Sequence, residues 1–205
     1  MSHTAEHSHD HGGHVHHIDP KLEYSMSKFG MWLFLGTEIL LFGGLFAAYA
    51  IYRAKYPEMF HEQHKELNVT IGAINTIILI FSSMTMAMAV TGIQRGKKNL
   101  VSILLLITII CGIAFGVNKY FEYGHKFEHH IGPGTSIFFA LYFMMTGLHM
   151  IHVFIGLAIL VVLLVLNMKG KFSAQYNTPI EVGGLYWHLV DLIWIYLFPL
   201  LYLIS

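Results

Sequence analysis

TGLHMIHVFIG, residues 146–156, lies inside an apolar run that extends from about 136 to 166. A helix needs ~20 apolar residues to cross the hydrocarbon of a bilayer, and this run exceeds that length. It shows no alternation and is too long for a strand. Four further runs cover about 29–52, 69–93, 100–118 and 183–204. The third is just long enough to cross, and NKYFEY (118–123) offers it a continuation. The pattern predicts an all-α integral membrane protein: a bundle of five transmembrane helices over 29–205, preceded by a polar His-rich N-terminal arm over 1–28.

Composition agrees. Of 205 residues, 55% are hydrophobic and 12% charged, against roughly a quarter charged in a soluble domain. Acids and bases cancel, so nothing favours a nucleic-acid partner. The single cysteine, Cys111, excludes an internal disulfide framework, a thiolate cluster and a C-x-x-C-H haem attachment, and reads as a small buried hydrophobe. The N-terminus runs polar through Lys28 and lacks the charged start and short apolar run of a signal peptide. Its histidines, His3, His7, His9, His11, His14, His16 and His17, have no fixed geometry and read as a pH-sensitive tail rather than a metal site.

Loop charges set an orientation. Lys21, Lys28, Arg95, Lys97, Lys98, Lys169 and Lys171 fall on one side; Arg53, Lys55, Lys65, Lys119 and Lys126 fall on the other. The excess puts the N-terminus in the cytoplasm and the C-terminus outside. Trp32, Trp187 and tyrosines near helix ends fit interfacial anchoring. Gly36, Gly43, Gly44, Ser82, Ser83, Ala87, Ala89, Gly147 and Gly156 are expected to let helices approach closely. No internal repeat supports a transporter of inverted halves.

Ionisable groups within a span are functional candidates. Glu38 is near the middle of the first span; ionised and alone there it would be costly by ~3 kcal/mol or more, so it is expected to be protonated or bonded to another helix. It reads either as a reactive, proton-relaying carboxyl or as a neutral one joining two helices. His149 and His152 share a helical face that Gly156 continues. One helix cannot offer axial ligands to both faces of one haem, and a zinc or copper site needs more donors. They read as hydrogen-bonded interface histidines. His188 and Asp191 repeat the i, i+3 spacing, so the acid is expected to orient or pair with the imidazole; no nucleophile accompanies them. Trp187 and His188 are expected to meet head groups or a partner subunit. Asn75 and Glu122 complete the polar set.

Several strings carry a resemblance. TGLHMIHVFIG resembles a TG-x-H-x-x-H-V-x-x-G helix, and YWHLVDLIWIYLFPLLYL a closing YWH-x-VD-x-x-W signature. FLGTEILLFGGLFAAY resembles a helix bearing an intramembrane carboxylate, at Glu38. Asn75 with Ser82–Ser83, and FEY at 121–123, resemble two intervening helices. All are features of subunit III of the haem–copper respiratory oxidases, and the likeness covers nearly everything after the arm. It implies an accessory subunit with no catalytic residue, cofactor or metal of its own. Haem and copper would lie in partner subunits I and II, and a small subunit IV or a respiratory supercomplex would be a further partner. It also implies structural phospholipid, support of proton uptake and resistance to turnover inactivation, in a bacterial cytoplasmic membrane. Longer members have seven spans; five match the short bacterial form, which occurs with cytochrome c and with quinol as donor. Glu38 leans the reading toward cytochrome c oxidase. Readings of another class are a transition-metal transporter using the His-rich arm and a b-type membrane cytochrome; the first lacks thiolates in its core, the second lacks haem ligands.

Overall fold

The computed structural model describes residues 20–203, so the seven arm histidines lie outside the described residues. Among those described, five helices are long and apolar enough to cross a membrane. They are α1 (Pro20–Lys55), α3 (Val69–Gln94), α4 (Lys98–Glu128), α5 (Ile137–Met168) and α6 (Thr178–Phe198). A short helix, α2 (Pro57–Gln63), and a 3₁₀ turn (His64–Glu66) join α1 to α3.

Local chemistry sets the boundaries. The Asn68 side chain accepts from the Ile71 amide to start α3, and Ser136 accepts from Phe139 to start α5. Gly96 and Gly170, at φ +72° and +71°, end α3 and α5. In each case the following lysine amide reaches back to a carbonyl of the last turn, Lys97 to Gly92 and Lys171 to Leu166. At the end of α6, Pro199 has no amide hydrogen, and the chain widens into a π-helical turn over Pro199–Leu203.

The helix extents differ from the hydropathy reading at two places. α1 starts at Pro20, within the polar stretch assigned to the arm. α4 runs to Glu128, ten residues past the predicted end of its span at 118. A helix rises 1.5 Å per residue, so Lys119 lies about 32 Å along α4 from Lys98, at the far edge of a hydrocarbon core ~30 Å thick.

α3, α4, α5 and α6 form a closed ring in which each packs on the next, and α1 leans on α5 and α6 from outside. Only 17% of the apolar window of α1 is buried, against 56% for α6. At the ring's centre, the Trp187 indole fits between two glycines. A Cβ on Gly112 would lie 2.8 Å from the indole, and one on Gly156 2.9 Å from it. Trp187 Nε1 donates to Ser82 Oγ on α3, at 3.1 Å. One side chain thereby ties four helices.

Three expectations are corrected here. Trp187 is fully buried, not an interfacial anchor; its indole fills the gap that Gly156 opens. Among the described residues Gly36, Gly43, Gly44 and Gly147 have no neighbour within 4 Å of a built Cβ; of the expected glycines only Gly156 makes a close approach, and Gly72, Gly112 and Gly183 make others. Cys111 is only half-buried.

Candidate functional site

The intramembrane polar residues divide into a seam between α1 and α5, a central set, and a cluster near the end of α4.

The seam joins Glu38 to His152. His152 Nε2 lies 2.9 Å from Glu38 Oε2, with 9% and 13% of the side chains exposed. His152 Nδ1 lies 2.8 Å from the Leu148 carbonyl. A carbonyl only accepts, so Nδ1 carries a proton. The Nε2–Oε2 contact therefore holds one further proton, either on a neutral carboxyl or on an imidazolium paired with a carboxylate. Phe42 packs edge-on to the imidazole at 5.5 Å. Glu38 thus has the cross-helix partner its position demands, and the partner is one of the two motif histidines.

His149 lies one helical turn away with 0% exposure and, among the described residues, no hydrogen bond to either ring nitrogen. Phe115 meets it edge-on at 5.7 Å, and Trp194 lies alongside at 5.4 Å. Those rings fill the space beside the imidazole that a macrocycle would need. His149 belongs to the core of this chain and not to its surface, contrary to the expected interface position. The i, i+3 spacing gave two histidines unlike environments, because His152 faces α1 and His149 faces the ring.

The expected His188–Asp191 pairing does not form. His188 Nδ1 bonds to Ser83 Oγ at 2.7 Å. Asp191 is 2% exposed and its oxygens lack a hydrogen-bond partner among the described residues. Ser83 and Ser82 lie near it, but the Ser82 hydroxyl proton goes to the Leu79 carbonyl and Ser83 Oγ is engaged by His188. Asn75 is also buried; its Oδ1 accepts from Asn118 Nδ2 at 2.8 Å while its own Nδ2 is left over. Asp191 and Asn75 are interior groups of this chain, not the lipid-facing or interface groups expected.

The densest cluster surrounds Glu122. Lys119 Nζ donates to Glu122 Oε2 at 2.9 Å and to the Tyr202 hydroxyl at 2.8 Å. Tyr142 donates to Glu122 Oε1 at 2.7 Å, and Tyr202 donates to the same oxygen. The Lys119 ammonium also lies 4.9 Å from the Trp194 ring centre. Lys119 and Glu122 side chains are 1% and 4% exposed. Lys126, 4% exposed, caps the cluster by donating to the Glu66 carbonyl. Glu122 was expected at an interface or facing lipid; it is interior. Lys119 and Lys126, loop charges on the hydropathy reading, are buried helix residues. Their signal in the sequence is the i, i+3 step from Lys119 to Glu122, which places opposite charges on one face.

The family model described as cytochrome c oxidase subunit III matches residues 6–205. The chain belongs to that family. A cytochrome c oxidase subunit 3 of Synechocystis is 37% identical over 93% of this chain and 79% of its own length. A quinol oxidase subunit 3 of Bacillus spizizenii is 32% identical over 86% of each. A cytochrome bo(3) ubiquinol oxidase subunit 3 of Pseudomonas aeruginosa is 31% identical over all of this chain and 92% of its own. Relatives thus include both donor types. Membership makes this chain a subunit of a haem–copper oxidase, and the motif residues acquire positions: the TG-x-H-x-x-H helix of this subunit III supplies one histidine to the intramembrane carboxyl and the other to the core.

Proposed function

We propose that this chain is an accessory subunit III of a proton-pumping haem–copper oxidase that reduces oxygen to water, with haem and copper held by subunits I and II. It stabilises the catalytic subunit and supports its proton uptake, and it holds phospholipid. The observation that carries the reading is the Glu38–His152 contact. It puts an acid–imidazole pair on the side of the bundle where α1 stands partly apart, and a pair so placed supports a part in proton uptake. A small subunit IV or a supercomplex partner would cover the open face of α1. The electron donor is read as cytochrome c, with quinol as the second reading because relatives of both kinds align over most of the chain. The setting is a bacterial cytoplasmic membrane with the N-terminus inside. Burial of Lys119 and Lys126 supports that orientation by leaving Arg53, Lys55 and Lys65 as the far-side loop bases against seven on the near side.

Two measurements test this. Purification through this chain is expected to bring down haem- and copper-bearing subunits, and oxidation of cytochrome c or quinol by that complex identifies the donor. Stoichiometric haem bound by the isolated chain would overturn the accessory role. Replacing His149 and His152 together by Leu is expected to weaken association with the large subunit while haem per large subunit stays normal.

A further inference from the structure

One acid of the bundle is left over. Asp191 on α6 is 2% exposed, and among the described residues neither of its oxygens has a hydrogen bond. An ionised carboxylate enclosed without a partner is costly, so these oxygens call for a proton. Two indoles bracket the acid along α6. Trp187 Nε1 is given to Ser82 Oγ at 3.1 Å and Trp194 Nε1 to Thr76 Oγ1 at 3.0 Å. An indole N–H only donates, so neither ring can pass a proton on. Ser82 gives its own hydrogen to the Leu79 carbonyl. Of the two serines near Asp191 this leaves Ser83, whose Oγ lies 2.7 Å from His188 Nδ1.

His188 leads outward. It lines a groove of about 370 Å³ between α3 and α6, at the end of the bundle where α1 begins. The rim of that groove is polar: Glu181 accepts from Gln94 Nε2 at 2.8 Å and pairs with Lys28 at 3.0 Å. At 1.5 Å per residue, His188 is about 10 Å and Asp191 about 15 Å along α6 from Glu181. The second distance is about half of a hydrocarbon core ~30 Å thick. His188 thus joins the groove to Ser83, and Ser83 adjoins an acid deep in the bundle.

We propose that Asp191 is a proton-binding site of this chain, loaded from the α3–α6 groove through His188 and Ser83. Water in the groove gives a proton to His188 Nε2, Nδ1 gives one to Ser83 Oγ, and Ser83 gives its own to the carboxylate. The reverse sequence returns it. The relay uses no redox group and no residue of another subunit. It is separate from the Glu38–His152 seam, which α1 makes with α5. It rests on the fold of this chain and not on its role toward the catalytic subunit.

The test follows the C=O stretch of neutral carboxyl groups by infrared difference spectroscopy on the intact oxidase complex as heavy water replaces water. One band is expected to be missing from Asp191→Asn and present in Glu38→Gln. His188→Phe is expected to keep that band and to slow its deuterium shift ~100-fold, the lower end of what a positioned proton-transfer group supplies. Ser83→Ala is expected to do the same, while Ser83→Thr, which keeps a hydroxyl, is expected to exchange like wild type. If Asp191→Asn does not assemble, a heavy-carbon label at the aspartate side-chain carboxyl replaces it. The label is expected to lower the frequency of a band in complex that holds this chain, with no such band in complex prepared without it. The site is overturned if no band is lost in Asp191→Asn, or if labelled complexes with and without this chain give the same bands. The relay is overturned if His188→Phe and Ser83→Ala exchange as fast as wild type. A complex of normal subunit, haem and copper content that lacks the band would remove this site and leave the proposed function standing.

Discussion

The two carboxylates that α1 and α4 bring into the membrane are handled in opposite ways. Glu122 is surrounded: an ammonium and two phenol hydroxyls bond its oxygens, all from the same chain and almost wholly enclosed. Glu38 has one partner among the described residues, on a seam beside a helix with much of its surface uncovered. A buried ion pair repays its desolvation only when every donor and acceptor is used, and Glu122 meets that condition. Such a cluster fixes geometry. Among the described residues the single bond at Glu38 leaves oxygen lone pairs free, as the proposed part in proton uptake requires.

The largest effect should come from breaking the enclosed cluster on one side. Lys119→Met leaves the Glu122 carboxylate buried without its counter-charge, and a loss of ~3–5 kcal/mol is expected. Thermal unfolding in detergent measures it. Lys119→Met combined with Glu122→Leu should recover part of that stability, since the uncompensated carboxylate is gone while Lys126 keeps its bond to the Glu66 carbonyl; equal unfolding of single and double variants would show that the two residues are not coupled.

Trp187→Ala should cost about as much, ~3–5 kcal/mol, by emptying the slot between Gly112 and Gly156 and leaving Ser82 without its donor. A variant that unfolds like wild type would mean the ring closes without its central indole, and that the Glu122 cluster alone sets the bundle.

At the seam the effects should be smaller and depend on hydrogen-bonding capacity. Gln at position 38 can donate its amide to His152 Nε2, so Glu38→Gln should keep assembly within ~1 kcal/mol, while Glu38→Leu leaves that nitrogen unpaired and costs ~1–3 kcal/mol. Under sustained turnover, complexes carrying Glu38→Gln should inactivate faster at unchanged haem content. Wild-type durability in that variant would remove the proton-exchange side of the comparison. Smallest of all, Gly43→Ala and Gly44→Ala should shift the isolated chain by no more than ~0.5 kcal/mol, because neither meets a neighbour within 4 Å. A loss of subunit association in those variants would show that this face of α1 is covered in the complex.

Much of this was legible in the residue string, and the failures have a common cause. Glu38, His149 and His152 stand out because each is expensive in hydrocarbon, so burial cost alone selects them. That Glu38 pairs with His152 and not His149 depends on how α1 leans on α5, which the shared face of the motif leaves open. A hydropathy window treats a lysine as the end of a span, so Lys119 reads as a loop charge. Only the fold shows Tyr142 of α5 and Tyr202 of the π turn arriving to bond it. Residue type points Trp187 to the interface, but its depth follows from two glycines on different helices being brought to the same height.

What the sequence alone determined is the membrane class, the five crossings, the family and the polar residues that had to matter, since each follows from transfer free energies and local spacing along one chain. What only the tertiary structure decided is who meets whom: which histidine takes the carboxyl, which lysine is a core residue, and which glycines are close contacts. Those are properties of helix rotation and relative height, set by packing between segments far apart in sequence, and periodicity within a single helix does not encode them.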